Sequence, residues 1–342
     1  MEASTLRAGG RSTLERPPLA RLPDRALKYG LTALAAAILA LIVYFFFRLV
    51  GEARPAFARF GVLGFTFGET WNVSGEQFGA LPMLLGTLIT SALALAIGVP
   101  VAVATALYAT ELCPARLRSP VTVLIELLAA VPSVVYGLWG IFYLAPKLQS
   151  PEQWIADRLS FIPFVGGGLV TIPNIFNAGL ILAIMILPIV SAIAREVMST
   201  VPSDHKEAAL GLGATRWEMI RLAVLPYCRG GIVGGAMLGL GRAIGETIAV
   251  TIVIGGATRM PTHLFAQGNS LAAVIANEFG EAVGLHRSAL FAAGLVLFVL
   301  TLLVNAIARV IVLRAERVRA PRGGALDPAG TGPPAIAGTP GL

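Results

Sequence analysis

Six long apolar stretches run along this chain, separated by segments rich in charged residues, proline and glycine. A helix needs about 20 apolar residues to cross the hydrocarbon core of a bilayer. The stretches therefore predict six membrane-spanning helices, at about residues 29–50, 83–108, 120–144, 178–193, 230–254 and 289–312. Pro132 and Pro188 fall inside the third and fourth stretches, where we expect kinks or breaks. The pattern predicts an all-α membrane protein.

The composition supports this class. Of 342 residues, 56% are hydrophobic and 13% are charged, and the mean hydropathy is +0.78. Soluble domains carry about 25% charged residues. The net charge of +7 would suit a nucleic-acid partner, but the basic residues flank apolar stretches, which is typical of membrane topology signals. We therefore predict a lipid membrane as the environment and no nucleic-acid partner.

The sequence offers little for catalysis or metal binding. Cys113 and Cys228 lie at the ends of different apolar stretches and lack the spacing of a metal site. No Walker A motif follows a glycine run, and no nucleophile–base motif is present. We predict no cofactor, no metal and no catalytic residue, and hence a protein that is not itself an enzyme.

The distribution of Lys and Arg predicts the orientation. Eighteen of the 26 fall on one side of the six predicted spans and seven on the other, with Arg242 inside a span. The richer side is cytoplasmic by the positive-inside rule, so both termini are predicted to be cytoplasmic in a multi-pass protein. We expect a disordered arm at 1–28, a membrane domain at 29–315 and a disordered tail at 316–342.

The cytoplasmic loop at 199–226 carries helix signals. Ser203 is a candidate N-cap, and good helix formers follow it as far as two glycines, Gly211 and Gly213. Thr215 and Glu218 have the spacing of a capping box. The loop is predicted to be a short helix, a glycine turn and a second helix. It fits either an ordinary surface loop or a rigid knob that docks on another protein.

Charged residues inside predicted spans are candidates for a transport pathway. Arg242 and Glu246 are four residues apart, so one helix would place them on one face, where they can pair. They fit a structural ion pair or an anion route, because guanidinium matches phosphate oxygens. Glu126 is a candidate gate, a partner for Arg242 or a residue near the end of its span. Ser133 is a candidate hydrogen-bond donor to a passing anion.

Glycines recur at four-residue spacing around Arg242. They are Gly231, Gly235 and Gly239, followed by Gly241 and Gly245. Such spacing allows helices to approach closely. We interpret the stripe as a packing surface rather than a ligand contact.

The cytoplasmic loop resembles the EAA motif of the integral membrane subunits of binding-protein-dependent ABC importers. That motif reads Glu-Ala-Ala, three residues, Gly, nine residues, Ile, one residue and Leu-Pro. The matching residues here are Glu207, Ala208, Ala209, Gly213, Leu225 and Pro226, with Ala223 in place of Ile. The resemblance implies that these residues form a coupling helix that docks on an ATPase subunit.

Other stretches resemble permease subunits of phosphate ABC importers, namely 71–82, 126–140, 239–249 and 269–279. The likeness covers about residues 29–315 and implies a type I ABC importer permease fold of six spans with an added N-terminal helix. It implies import of inorganic phosphate across a bacterial plasma membrane, driven by ATP hydrolysis in a separate subunit. The implied partners are a second permease subunit in a heterodimer, a cytoplasmic ATPase dimer, an extracytoplasmic phosphate-binding protein and phosphate.

Three alternatives remain at this point. The chain could be the other permease type of the same importer, or a permease for another oxyanion such as sulfate or molybdate. It could also be an ion-coupled secondary anion carrier, although such carriers favour inverted repeats and several acidic residues in their spans. Co-purification with an ATPase subunit separates the last alternative from the other two.

Overall fold

The computed structural model describes residues 22–162, 164–166 and 168–317. Helices make up most of these residues. They are α1 (Leu22–Phe60), α2 (Val62–Phe67), α3 (Leu81–Leu107), α4 (Ala115–Ala130), α5 (Ser133–Trp139), α6 (Ala145–Arg158), α7 (Ile175–Ser199), α8 (Ser203–Gly211), α9 (Arg216–Met219), α10 (Leu225–Gly245), α11 (Ile248–Ile254), α12 (Leu271–Glu278) and α13 (Gly284–Arg317). Strands β1 (Trp71–Asn72) and β2 (Gln77–Phe78) form an antiparallel hairpin.

The predicted terminal arms are described only in part. Residues 1–21 and 318–342 lie outside the described residues. Residues 22–28, which we assigned to the arm, are helical, because α1 begins at Leu22 and continues into the first apolar stretch. The helix that contains the first span therefore begins before the predicted boundary at residue 29.

Five helical segments in the described residues are long and apolar enough to cross a membrane. They are Ala26–Phe60, Leu81–Leu112, Ile175–Ser199, Arg216–Gly245 and Gly284–Val310. A sixth candidate consists of Ala115–Ala130 and Ser133–Arg158, which meet at a bend of 91°. The predicted six spans are obtained when this bent pair counts as one span.

The two internal prolines act differently. Pro132 separates α4 from α5, as predicted, because it cannot continue the hydrogen-bond ladder of α4. Pro188 lies inside α7, which continues to Ser199. A break at Pro188 is therefore wrong, while a kink there stays a prediction. The hydroxyl of Ser191 donates to the Pro188 carbonyl at 3.1 Å.

Three π-helical turns each end two residues before a proline. They are Tyr108–Leu112, Gly140–Leu144 and Ile220–Val224, followed by Pro114, Pro146 and Pro226. A proline lacks the N–H for the carbonyl four residues earlier, and its ring crowds that carbonyl. A π turn widens the helix and relieves the crowding, so the chain passes through Pro146 and Pro226 without a break. At Pro114 the chain instead starts a new helix, α4.

α7 lies at the centre of the fold and packs against α3, α4, α10 and α11. The glycine stripe on α10 divides into two parts. Gly231, Gly235 and Gly239 lie against side chains of α7, as the packing interpretation predicts. Added Cβ atoms at Gly241 and Gly245 would have no other atom within 4 Å. The second part of the stripe is thus an open face of this chain.

Gly86 holds α3 against the segment before α12. A Cβ at residue 86 would overlap the backbone carbonyl oxygen of Asn269. Beside it, the backbone N–H of Leu271 donates to the hydroxyl of Thr87 at 3.0 Å. Only a glycine allows the two backbones to come this close.

We expect Gly86→Ala to lower the free energy of unfolding by about 1–3 kcal/mol, because the extra carbon forces the two backbones apart. Thermal unfolding of the purified protein in detergent measures the loss. Gly51→Ala is the matched control, since a Cβ at residue 51 meets no other atom within 4 Å. Equal unfolding midpoints for the two variants would contradict the packing argument.

Candidate functional site

Arg242 lies in the last turn of α10, and its side chain is exposed on the surface of this chain. The helix ends at Gly245, and Glu246 follows in an extended conformation with φ −70° and ψ 125°. The predicted placement of Arg242 and Glu246 on one helical face is therefore wrong, and they form no ion pair in the described structure. Instead, Oε1 of Glu246 accepts a hydrogen bond of 3.4 Å from the backbone N–H of Ala249, in the first turn of α11.

The predicted fifth span is thus interrupted at its far end. Gly245 is a weak helix residue, and Thr247 is β-branched, so both weaken the helix at this point. The apolar composition of 230–254 hid this break, because α11 is as apolar as the helix before it. The consecutive Gly245, Glu246 and Thr247 are the sequence signal that could have revealed it.

A second break lies between α4 and α5. Ser133 is half-buried and begins α5 directly after Pro132. The hydroxyl of Tyr136 donates a hydrogen bond of 2.7 Å to the carbonyl of Leu128 at the end of α4, which also accepts a longer bond of 3.4 Å from the Val131 N–H. The Tyr136 bond connects the two sides of the break and stabilises the sharp bend.

The two breaks are neighbours. α11 packs against α5, and a Cβ at Gly137 would lie 3.1 Å from the Cα of Ala249. Arg242 also lies close enough to Tyr136 to interact with it electrostatically. The fold therefore brings Arg242 and Glu246 to a helix end that adjoins the one at Ser133, which lies more than 100 residues earlier in the sequence.

Glu126 lies elsewhere. Its Oε1 is 2.9 Å from Nη2 of Arg195 on α7, so the suggested pairing of Glu126 with Arg242 is wrong. Both residues line a cleft of about 690 Å³ that also includes Lys206 of the loop at 199–226. Glu126 thus points toward the loop at 199–226 rather than toward the two helix breaks.

The loop at 199–226 folds as a helix, a glycine turn and a second helix, as predicted. α8 ends in a Schellman turn: the N–H of Gly213 donates to the Leu210 carbonyl at 3.0 Å, and that of Ala214 to the Ala209 carbonyl at 3.2 Å. Gly213 has φ +89°, a conformation that favours glycine. The Schellman turn fixes the direction in which the chain leaves α8.

The cap assignments have mixed outcomes. The predicted capping box is confirmed, with the Glu218 carboxylate accepting from the Thr215 N–H at 2.8 Å and the Thr215 hydroxyl accepting from the Glu218 N–H at 3.3 Å. The predicted N-cap role of Ser203 is wrong. Pro202 occupies that position without a side-chain hydrogen bond, and Ser203 is already helical.

The loop exposes both charged and apolar side chains on its outer surface. Glu207 and Ala208 are exposed on α8, and the side chain of Leu212 is 91% exposed at the turn. A groove of about 1280 Å³ runs beside them between α8 and the start of α10. Its lining includes Ala209, Gly213, Leu222 and Pro226. Leu225 is half-buried and packs beneath the groove against the ends of α7 and α10.

An ion pair that the sequence did not reveal anchors the loop. Nζ of Lys206 lies 2.6 Å from Oε1 of Glu111, in the π turn that extends α3. The two residues are 95 positions apart, and Glu111 lies just after the second apolar stretch and belongs to no motif. Only the packing of α8 against the end of the second span brings them together.

Comparisons with known proteins support a single family. The family model for the binding-protein-dependent transport system inner membrane component matches residues 98–317. A phosphate transport system permease protein PstC from Mesorhizobium japonicum is 48% identical over 83% of this chain and 89% of its own length. A PstC 2 permease from Mycobacterium tuberculosis is 42% identical over 85% of this chain and 92% of its own.

Solved structures agree at the level of the fold. A bacterial ABC transporter involved in the import of the acidic polysaccharide alginate is 20% identical, with a TM-score of 0.56 over 85% of this chain and 98% of that one. The fold is therefore that of an ABC importer permease, and the chain is a multi-pass transporter component. By its family match and its identity to the PstC permeases, the chain belongs to the binding-protein-dependent transport system inner membrane components, in their PstC group.

Proposed function

We propose that this chain is a permease subunit of an ABC importer that carries inorganic phosphate into the cell. The observation that carries the proposal is the position of Arg242, an exposed guanidinium at two adjoining helix breaks inside the membrane domain. A charge there is costly unless it meets water, a partner or a ligand. The geometry alone does not identify the anion. We infer phosphate from the names of the PstC relatives.

The breaks suit an anion route. The first turns of α5 and α11 both begin at the breaks, and the N–H groups of a helix N-terminus attract negative charge. Arg242 offers two parallel N–H donors to phosphate oxygens. Glu246, three residues before Ala249, limits the net positive charge and so allows release. Ser133 supplies a further donor, and Glu126 acts as a gate on the loop side.

The cytoplasmic loop is proposed to receive force from an ATPase dimer of the PstB type. Glu207, Ala208, Ala209 and Gly213 form the docking surface, while Leu225 and Pro226 connect it rigidly to α10. With the loop in the cytoplasm, both termini are cytoplasmic and the β1–β2 hairpin faces a phosphate-binding protein of the PstS type. The coupling loop spans 199–226 of a membrane domain at 29–315.

The open face of α10 is proposed to pack against a second permease of the PstA type. Gly241 and Gly245 leave this face without side chains, so another helix can approach closely. Arg242 lies between them on the same exposed part of the helix. In the heterodimer the guanidinium would therefore lie between the two permeases rather than against lipid.

Reconstitution tests the proposal. The chain, with its neighbouring permease, ATPase and binding-protein subunits, is purified and placed in liposomes. Uptake of labelled phosphate is expected only with ATP, and excess unlabelled phosphate should compete while sulfate and molybdate should not. Competition by sulfate or molybdate would assign another oxyanion. Uptake without ATP or an ATPase subunit would instead favour the secondary carrier.

A further inference from the structure

The ion pair between Lys206 and Glu111 joins the cytoplasmic loop to the second membrane span. Its two charged atoms are 2.6 Å apart, and the Glu111 side chain is only 8% exposed. Separating the pair would leave a carboxylate buried without a partner, which is costly. The ion pair therefore ties α8 to the π turn at the end of α3, so that the two move together.

α8 has few other attachments to the membrane domain. It contains no buried residue, and Ala209 alone packs from it against the apolar cluster at the ends of α7 and α10. Within the described part of the chain, Lys206 makes the one ion pair between α8 and a membrane-spanning helix. A displacement of α8 therefore reaches the membrane domain through its two chain ends, the small apolar contact of Ala209, the ring contact of His205 with Tyr227 of α10, and this ion pair.

Glu111 lies where the extension of α3 meets α4, and α4 leads to the helix break. Arg118 of α4 donates to the carbonyl of Thr110 at 2.8 Å, so α4 is attached to the same π turn. The ion pair of Glu126 with Arg195 then fixes α4 to α7. α4 ends at the break beside Ser133. Contiguous polar contacts thus run from α8 through the π turn and along α4 to the proposed pathway.

We infer that Lys206 is a positioning residue, which transmits the movement of α8 through Glu111 to the helix break beside Ser133. The inference rests on the proposed function, in which an ATPase moves α8. Docking itself does not require Lys206, because its charged atom points toward the membrane domain and away from the exposed Glu207 and Ala208. Loss of the pair should therefore uncouple the transporter without detaching the ATPase.

The test compares phosphate transported per ATP hydrolysed in the reconstituted transporter. In Lys206→Met, we expect the ATPase subunit to co-purify in the parental amount, ATP hydrolysis to continue and the transport ratio to fall about tenfold. Lys206→Arg should restore most of the ratio, as should the exchange of Lys206→Glu with Glu111→Lys, since both variants restore an ion pair. An unchanged ratio in Lys206→Met would overturn the inference, as would failure of both restoring variants.

A readout that does not depend on the anion separates this inference from the proposed function. Ser133→Cys is labelled with a hydrophilic maleimide with and without ATP, and the parental chain gives the background because Cys113 and Cys228 are buried. ATP should change the labelling, and Lys206→Met should remove that change. If labelling responds to ATP while the transporter with Ser133 intact takes up no phosphate, the proposed substrate fails and the role of Lys206 stands. An equal ATP response in Lys206→Met would refute that role whatever the anion.

The control breaks an ion pair that lies outside the proposed pathway and docking surfaces. Nη2 of Arg48 lies 3.3 Å from Oε1 of Glu52, one turn later on α1. Arg48→Met should leave both the transport ratio and the labelling response at parental values. A loss equal to that of Lys206→Met would mean that any broken ion pair disturbs coupling, and the inference would fall.

Discussion

Replacing Arg242 with Gln is expected to reduce phosphate uptake at least about 30-fold. The substitution keeps a polar side chain of similar length but removes the charge. Losing charged hydrogen bonds to an anion costs about 2 kcal/mol or more, and each 1.4 kcal/mol corresponds to about a tenfold change. Arg242 has no ion-pair partner in the described structure, so its removal strands no carboxylate and the chain should fold and assemble. Uptake of labelled phosphate in proteoliposomes, normalised to the amount of assembled transporter, measures the effect.

Arg229→Gln is the matched control for this prediction. Arg229 lies near the other end of the same helix, α10, and is also exposed, but it is remote from both helix breaks. We expect it to retain most of the parental uptake. Normal uptake in Arg242→Gln would remove Arg242 from the pathway, and equal losses in the two variants would point to general damage to α10.

Replacing Gly213 with Val is expected to lower the recruitment of the ATPase subunit about tenfold or more. Gly213 has φ +89°, and a β-branched residue in that region costs at least about 1–2 kcal/mol. The chain relieves the strain by opening the Schellman turn, which moves Leu212 and the end of α8 away from the docking surface. The amount of ATPase that co-purifies with the chain, together with ATP-driven uptake, measures the loss.

Gly211→Val separates backbone strain from added bulk. A Cβ at Gly211 meets no other atom within 4 Å, as at Gly213, but Gly211 is helical rather than left-handed. We expect it to reduce recruitment much less than Gly213→Val. If the Gly213→Val variant recruits as much ATPase as the parental chain, the proposal that this loop docks on the ATPase is contradicted. Equal effects of the two variants would show that the outer surface matters and the turn geometry does not.

The helices and the loop were largely predictable, because their signals are local. Apolar length identified the spans, and the spacing of Thr215 and Glu218 predicted a capping box that the structure contains. The predictions failed where two local signals compete. Pro188 is tolerated inside a buried helix, and Ser203 lost the cap position to Pro202 because the helix begins one residue earlier than expected.

The candidate site was predicted as a set of residues but not as an arrangement. Arg242 and Glu246 were assigned to one helical face, since a continuous helix was the simplest interpretation of an unbroken apolar run. The break at Gly245 separates them, and Glu126 instead pairs with Arg195. Contacts between distant segments have no signature in a single sequence, and for that reason the ion pair of Lys206 with Glu111 was missed.

The sequence by itself determined the class of protein, the approximate spans and the helical loop, because hydrophobic length, helix caps and motif spacing act within a few turns of the chain. The tertiary structure decided which charges meet. It placed Arg242 beside the break at Ser133, Glu126 beside Arg195, and Lys206 against Glu111. Those choices depend on how α3, α4, α7, α10 and α11 pack, and packing is settled by the whole set of side chains at once.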